Sequence, residues 1–287
     1  MTRLANIEKA GYFPLPPAVT RLLQSYIAAP HGGRLLDPCA GEGAALAALA
    51  AELDLIPFGV ELHSDRAEAA RAAVAALMEP GRTHVLQDSY LSLITTRGGY
   101  NLLYLNPPYD HDDEDGRLEY QWLVRTRPWL QPDGLLIWVV PQHLLRFRKA
   151  TRYLLSWYAD LRLYRFPDES YGRFRQMVVF GRRRRRATAP DMEIVGRLAE
   201  MATDKDRLLP LTAAPEPVYT LPPLAVGAKA FRFRSQFVDP ADALAEARQL
   251  GAATKDAWRA HLDPASAQVA LRPLTPLKIG HMHSVIA

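Results

Sequence analysis

Short apolar runs alternate with segments in which apolar positions recur at three- and four-residue spacing, and this alternation organises the chain as far as Arg186. RLLD (34–37), PFGVE (57–61), THVLQ (83–87), NLLYLN (101–106) and GLLIWVV (134–140) read as strands without a polar face. Between them lie helical segments at about 44–53, 64–78 and 117–130. Fully apolar strands separated by helices call for a parallel sheet covered on both sides. DLRLYRF (160–166) and QMVVFG (176–181) follow, joined by a loop too short for a crossover helix, so this last pair is predicted antiparallel. The expected fold is α/β, with a seven-stranded, mostly parallel sheet ending in an antiparallel hairpin.

After Arg186 the pattern weakens. Prolines crowd 210–223, and fainter helical signals fall at about 191–203 and 240–260. The chain therefore divides into an α/β domain over 1–187 and a smaller, irregular appendage over 188–287. The final KIGHMHSVIA stops in an apolar stretch with no capping signal, which leads us to expect a piece of something longer.

Composition narrows the classes. With 287 residues, 48% of them hydrophobic, the chain can bury one large core plus an appendage. A single cysteine excludes a disulfide framework or a thiolate metal cluster within the chain. No apolar run approaches the ~20 residues of a membrane-spanning helix, and MTRLANIEK lacks the features of a signal peptide. A cytoplasmic protein with no membrane contact is expected.

Charge changes the picture more. The net +4 conceals −6 over residues 1–140 and +10 over 141–287. The excess sits in 146–186, with 13 basic and 3 acidic residues, interleaved with Phe147, Tyr153, Trp157, Tyr158, Tyr164, Phe166, Tyr171 and Phe174. Cations neutralise phosphates and rings stack on bases, so the segment reads as a nucleic-acid surface. A solvated basic face over ordinary core aromatics explains it equally well.

The candidate chemistry lies at strand ends. DPCAGEG (37–43) follows the first main strand and opens a helix, bringing Asp37, Pro38, Ala40, Gly41 and Gly43 to a turn where backbone can approach a ligand. Glu61, followed by Leu62, ends the second strand, where a carboxylate can accept hydrogen bonds from ribose hydroxyls. Asp88, followed by Ser89, ends the third and can accept from the amino group of an adenine-bearing cofactor. NPPY (106–109) directly follows the fourth.

In this order the motifs resemble those of the class I, Rossmann-like S-adenosylmethionine-dependent amino-methyltransferases, and the adenine-specific DNA methyltransferases in particular. The resemblance covers about residues 7–186. It implies S-adenosylmethionine as cofactor, S-adenosylhomocysteine as product, and no metal. It implies that the Asn106 side-chain oxygen and the Pro107 carbonyl accept hydrogen bonds from the target NH₂, while Pro108 stiffens the loop. Tyr109 would stack by its ring face on a base flipped from double-stranded DNA. GYFPLPPAVTRLLQSYI resembles the family's N-terminal cofactor motif, which brings in Phe13 and Pro16; Leu15 stands where a threonine is expected. The motif order resembles the subgroup whose target-recognition region is C-terminal, here 188–287. Arg146, Arg148, Lys149, Arg173, Phe174, Arg175, Arg182 and Arg183 are the candidate nucleic-acid contacts, placed beside the NPPY mouth. A nuclease or defence-system partner is left open.

Other targets stay in view: RNA bases, a protein glutamine, or a catalytically silent nucleic-acid-binding subunit. Pro38-Cys39 lies after the wrong strand to be the nucleophile of a cytosine ring-carbon methyltransferase, so Cys39 is expected to pack in the turn. DHDDEDG (110–116) lacks the spacing of a calcium loop and is expected to be a solvated flank of the pocket. The run 182–186 either grips phosphates or ends a strand in solvent.

Overall fold

The computed structural model describes residues 14–79, 84–109, 117–172 and 175–236. The chain divides into two compact units, 1–236 and 237–287. The second lies outside the described residues, and with it the helical signal at 240–260.

The first unit is a three-layer α/β structure. Helix α1 (Pro17–Ser25) begins with proline at its first position, where the missing N–H costs no hydrogen bond. The main sheet then collects β2 (Gly33–Asp37), β3 (Leu55–Glu61), β4 (Val85–Gln87), β6 (Tyr100–Leu105), β7 (Leu130–Pro141), β8 (Tyr158–Arg165) and β9 (Gln176–Arg183). Their order is β4-β3-β2-β6-β7-β9-β8. The first five are parallel, β9 runs antiparallel to β7, and β8 runs antiparallel to β9. This is the sheet of the class I methyltransferases, as the sequence pattern predicts. The spatial order adds what the pattern could not: the last strand inserts between β7 and β8.

The crossovers are α2 (Ala44–Glu52), α3 (Ser64–Val74), α4 (Leu118–Thr126) and α5 (Arg148–Trp157), with the single turn α6 (Asp168–Tyr171) between β8 and β9. Successive strand residues point to opposite faces. Leu35, Leu102, Ile137, Val139 and Phe180 therefore meet α1 and α2 on one side. Leu36, Leu103, Leu136, Trp138 and Val179 meet α4, α5 and α7 (Met192–Met201) on the other. A run with no polar face is what a strand between two such layers requires. At Gly33 (φ 153°) an added Cβ would lie 2.1 Å from the Asn101 side chain, so only glycine fits.

The described part of the segment after Arg186 lies against this sheet. Tyr219–Thr220 (β10) pairs with Ile27–Ala28 (β1), and Phe233–Ser235 (β11) pairs with Leu93–Thr95 (β5). The buried Arg34 guanidinium donates to the carbonyls of Gly99 (3.2 Å) and Val226 (2.9 Å) and is covered by the Phe231 ring at 4.0 Å. Asn101, fully buried, donates to the Gly32 and Pro222 carbonyls at 3.0 Å each. Each satisfied buried polar group fastens this segment to the strands.

Candidate active site

Each motif follows its strand immediately, so their side chains gather at the carboxyl edge of four neighbouring parallel strands. Pro38, Glu61, Leu62, Asp88, Ser89, Asn106 and Pro108 wall one cavity of about 220 Å³. Among the described residues it is the cavity that joins the glycine turn, both acidic strand ends and the NPPY loop.

The glycine turn supports this wall from behind. The Gly41 amide donates to Glu61 Oε2 at 2.9 Å, and the Ala40 amide donates to the Val60 carbonyl at 2.9 Å. Gly43 (φ 80°) precedes α2, and a Cβ there would lie 2.7 Å from the Ala70 Cα, so glycine lets α2 begin against α3. Asp37 is only 2% exposed and accepts from the Cys39 amide at 3.1 Å; burial raises its carboxyl pKa to about 7. Burial also pushes the Cys39 thiol up, with the Asp37 carboxylate adding to the shift. Cys39 lines the cavity from within the turn. Pro16 caps α1 and is not part of the wall, and Phe13 lies outside the described residues.

Glu61 is more committed than sequence suggests. Besides Gly41 it accepts from the His63 amide (3.0 Å) and from Arg66 Nε (3.0 Å) and Nη2 (2.8 Å). Asp88 accepts from the Ser89 amide at 2.6 Å through Oδ1 and from the Ser235 hydroxyl through Oδ2. Tyr90 and Trp122 stack with ring centroids 3.5 Å apart and complete an aromatic wall. Arg66, Tyr90, Trp122 and Ser235 escaped the sequence reading. Tyr90 lies two residues past Asp88 and could have been noticed, whereas Ser235 is brought in by β11 from 147 residues away. Paired carboxylate acceptors, an aromatic wall and an apolar floor fit the diol, ring and amino edge of an adenosine-bearing cofactor.

Behind Asn106, which lines the cavity, the Tyr109 hydroxyl donates to Asn106 Oδ1 at 3.0 Å and accepts from Gln176 Nε2 at 2.7 Å. Burial raises the phenol's pKa, which keeps it protonated and able to donate. The sequence reading gave Tyr109 a role for its ring face alone. The structure adds a contact for the hydroxyl, which orients the amide next to it.

The candidate nucleic-acid residues separate into two groups. Arg146, Arg148, Lys149 and Arg175 are exposed near the carboxyl end of β7, the edge that carries Asn106. Arg173 and Phe174 lie outside the described residues. Arg182 and Arg183 do not join them, because antiparallel β9 carries them from Gln176 at the mouth to the opposite edge of the sheet. There Arg182 donates to the Asp133 and Thr220 carbonyls and Arg183 to the Leu130 carbonyl. The interleaved aromatics divide: Tyr158, Phe166 and Tyr171 are buried, while Phe147, Tyr153, Trp157 and Tyr164 are partly buried against the core. The acidic stretch 110–116 falls outside the described residues. No group of residues suited to a metal ion occurs among those described, and no helix among them is long and apolar enough to cross a membrane.

Residues 1–224 match the model of an uncharacterised methyltransferase family, DUF6094. No curated protein matches the chain. Its fold is similar to that of a protein from Listeria monocytogenes assigned to the class I S-adenosylmethionine-dependent methyltransferases (TM-score 0.51, 12% identity, 70% of this chain and 77% of that one). It is also similar to a type I restriction-modification methyltransferase subunit from Streptococcus thermophilus (TM-score 0.48, 15% identity, 68% and 53%). A tRNA (m1A58) methyltransferase from Aquifex aeolicus gives TM-score 0.44 at 12% identity, over 59% and 70%. The chain spans about half the length of the Streptococcus subunit.

Proposed function

The chain belongs to the DUF6094 family of methyltransferases, and from that premise we propose that it transfers a methyl group from S-adenosylmethionine to the exocyclic amino group of adenine in DNA. The observation that carries the reading is one cavity whose wall holds Glu61 and Asp88, from the neighbouring strands β3 and β4, together with Asn106 and Pro108, from the loop after β6 on the far side of β2. An electrophilic methyl and a planar amine could meet there without a metal.

Glu61 would hold the ribose hydroxyls and Asp88 the adenine amino group of the cofactor, with the turn 37–43 around its remaining polar end. When bound, S-adenosylmethionine supplies a methyl carbon activated by its sulfonium. The chain's own part is positioning. An aryl amine delocalises its lone pair into the ring. Asn106 Oδ1 and the Pro107 carbonyl, accepting its two hydrogens, favour a pyramidal nitrogen with the lone pair free to attack. Preorganised acceptors of this kind act without reorganising at the moment of reaction. Tyr109 holds Asn106 Oδ1 in place and is itself held by Gln176. The exposed Arg146, Arg148, Lys149 and Arg175 would meet phosphates flanking the flipped base. Residues 188–287 are the proposed target-recognition region, and the protein's proposed place is the cytoplasm.

Tyr109→Phe is expected to lower turnover by about 3- to 10-fold, the loss of one orienting hydrogen bond, with substrate affinity little changed. Steady-state kinetics read this directly, and parental turnover would return the tyrosine to a purely stacking role. The reading as a whole is tested by incubating the protein with labelled S-adenosylmethionine and pools of DNA, RNA and protein, followed by mass spectrometry of nucleosides and peptides. N6-methyladenine in DNA is the expected product. Label on RNA or on glutamine keeps the chemistry and replaces the substrate, and no transfer to any pool refutes the reading.

A further inference from the structure

On the edge of the sheet opposite NPPY, three arginines converge from separate elements. Arg97 lies in the turn between β5 and β6, Arg127 closes α4, and Arg183 ends β9. Together with Gly98, Pro128 and Pro132 they line a cleft of about 320 Å³. No carboxylate stands in this lining, and among the described residues none of the three is ion-paired to one. The acidic side chain next in sequence, Asp133, lies 3.8 Å from Arg185 instead.

Two of the guanidiniums are held in place, while Arg97 stands exposed on its turn at the rim. Arg127 donates from Nε to the Tyr153 hydroxyl and lies 3.5 Å over the Trp157 ring. Arg183 donates to the Leu130 carbonyl, while its Nε is buried without a partner. Burial, and then the neighbouring charges of Arg127 and Arg97, lower the proton affinity of Arg183. A fold that fixes two like charges in one cleft and sets a third on its rim carries a repulsion that an anion would relieve. Guanidinium forks match tetrahedral oxyanions in particular.

We propose that Arg97, Arg127 and Arg183 form a phosphate-binding cleft, separate from the methyl-transfer pocket. Strand β6 lies between the two sites, six residues that put them about 20 Å apart, so an anion in the cleft is not a reactant. The phosphate could come from a nucleic-acid backbone that extends past the mouth or from a free phosphorylated small molecule. The proposal concerns the cleft and does not depend on which substrate is methylated.

The test is thermal melting of the parent, Arg97→Ala and Arg97→Glu, in chloride, in pyrophosphate at matched ionic strength, and with a short DNA duplex. Arg97 is exposed on a turn, so both variants should fold. Pyrophosphate should raise the parent's midpoint by several degrees, as a ligand of the native state does, and Arg97→Ala should lose most of that rise. Arg97→Glu supplies its own anion, so it should melt above the parent in chloride and ignore pyrophosphate. A shift by DNA that also depends on Arg97 identifies a backbone phosphate; a shift by pyrophosphate alone identifies a small-molecule ligand. An unmoved parent in both arms, or an equal rise in Arg97→Ala, overturns the proposal.

Discussion

Asn106→Ala is expected to slow methyl transfer by ~10²-fold or more, the scale of losing one preorganised hydrogen-bonding group at a reacting centre. Its amide oxygen is the acceptor that gains most as the amine nitrogen becomes pyramidal, so the loss falls on turnover. Cofactor affinity should stay within about threefold of the parent, since the residues proposed for ribose and adenine follow β3 and β4, with β2 between them and the strand that carries Asn106. The Tyr109 hydroxyl, deprived of Asn106 Oδ1, keeps its bond from Gln176 Nε2, which limits collateral damage to the loop. Single-turnover rates with saturating cofactor, beside calorimetric titration, separate the two effects. A variant that transfers methyl groups as fast as the parent would reduce NPPY to a structural turn.

Glu61→Ala should act on binding. The carboxylate is 6% exposed and already accepts from Gly41, His63 and Arg66. Its removal takes away the ribose acceptor, along with the carboxylate that the Arg66 guanidinium and the Gly41 amide donate to. Lost charge-assisted hydrogen bonds of this kind are worth about 1–3 kcal/mol, a weakening of cofactor affinity by roughly 5- to 150-fold. Glu61→Gln keeps one carbonyl acceptor and should lose less. Comparing both variants by calorimetry and by melting midpoint distinguishes a lost contact from a disturbed turn. Unchanged affinity in Glu61→Ala would remove Glu61 from the cofactor site.

The two expectations share a structural cause, since both residues stand at the carboxyl end of a parallel strand. That position is legible in the sequence: a strand buried on both faces is mostly apolar, and the polar residue that closes its apolar run marks the carboxyl edge. Asp37, Glu61, Asp88 and Asn106 follow that rule. The appendage shows its limit. Ser235 reaches Asp88, and Arg34 and Asn101 fasten 222–231 to the strands, yet no local periodicity encodes a hydroxyl meeting a carboxylate 147 residues earlier.

By itself the sequence determined the five parallel strands, their helices, the antiparallel pair and the order of the motifs. Those features follow from local period and from what a buried backbone tolerates. Only the tertiary structure decided where the basic residues point. Arg175 and Arg183 are eight positions apart on one charged run, yet β9 sets them at opposite edges of the sheet. Net charge counts residues along a chain, whereas a binding surface is made by strand direction and by the order in which strands insert. The same holds for the aromatics between those cations: Tyr158, Phe166 and Tyr171 are buried because inward-facing positions of a packed sheet and its loops exclude water. Composition alone reads such rings and stacking platforms alike, and only packing separates them.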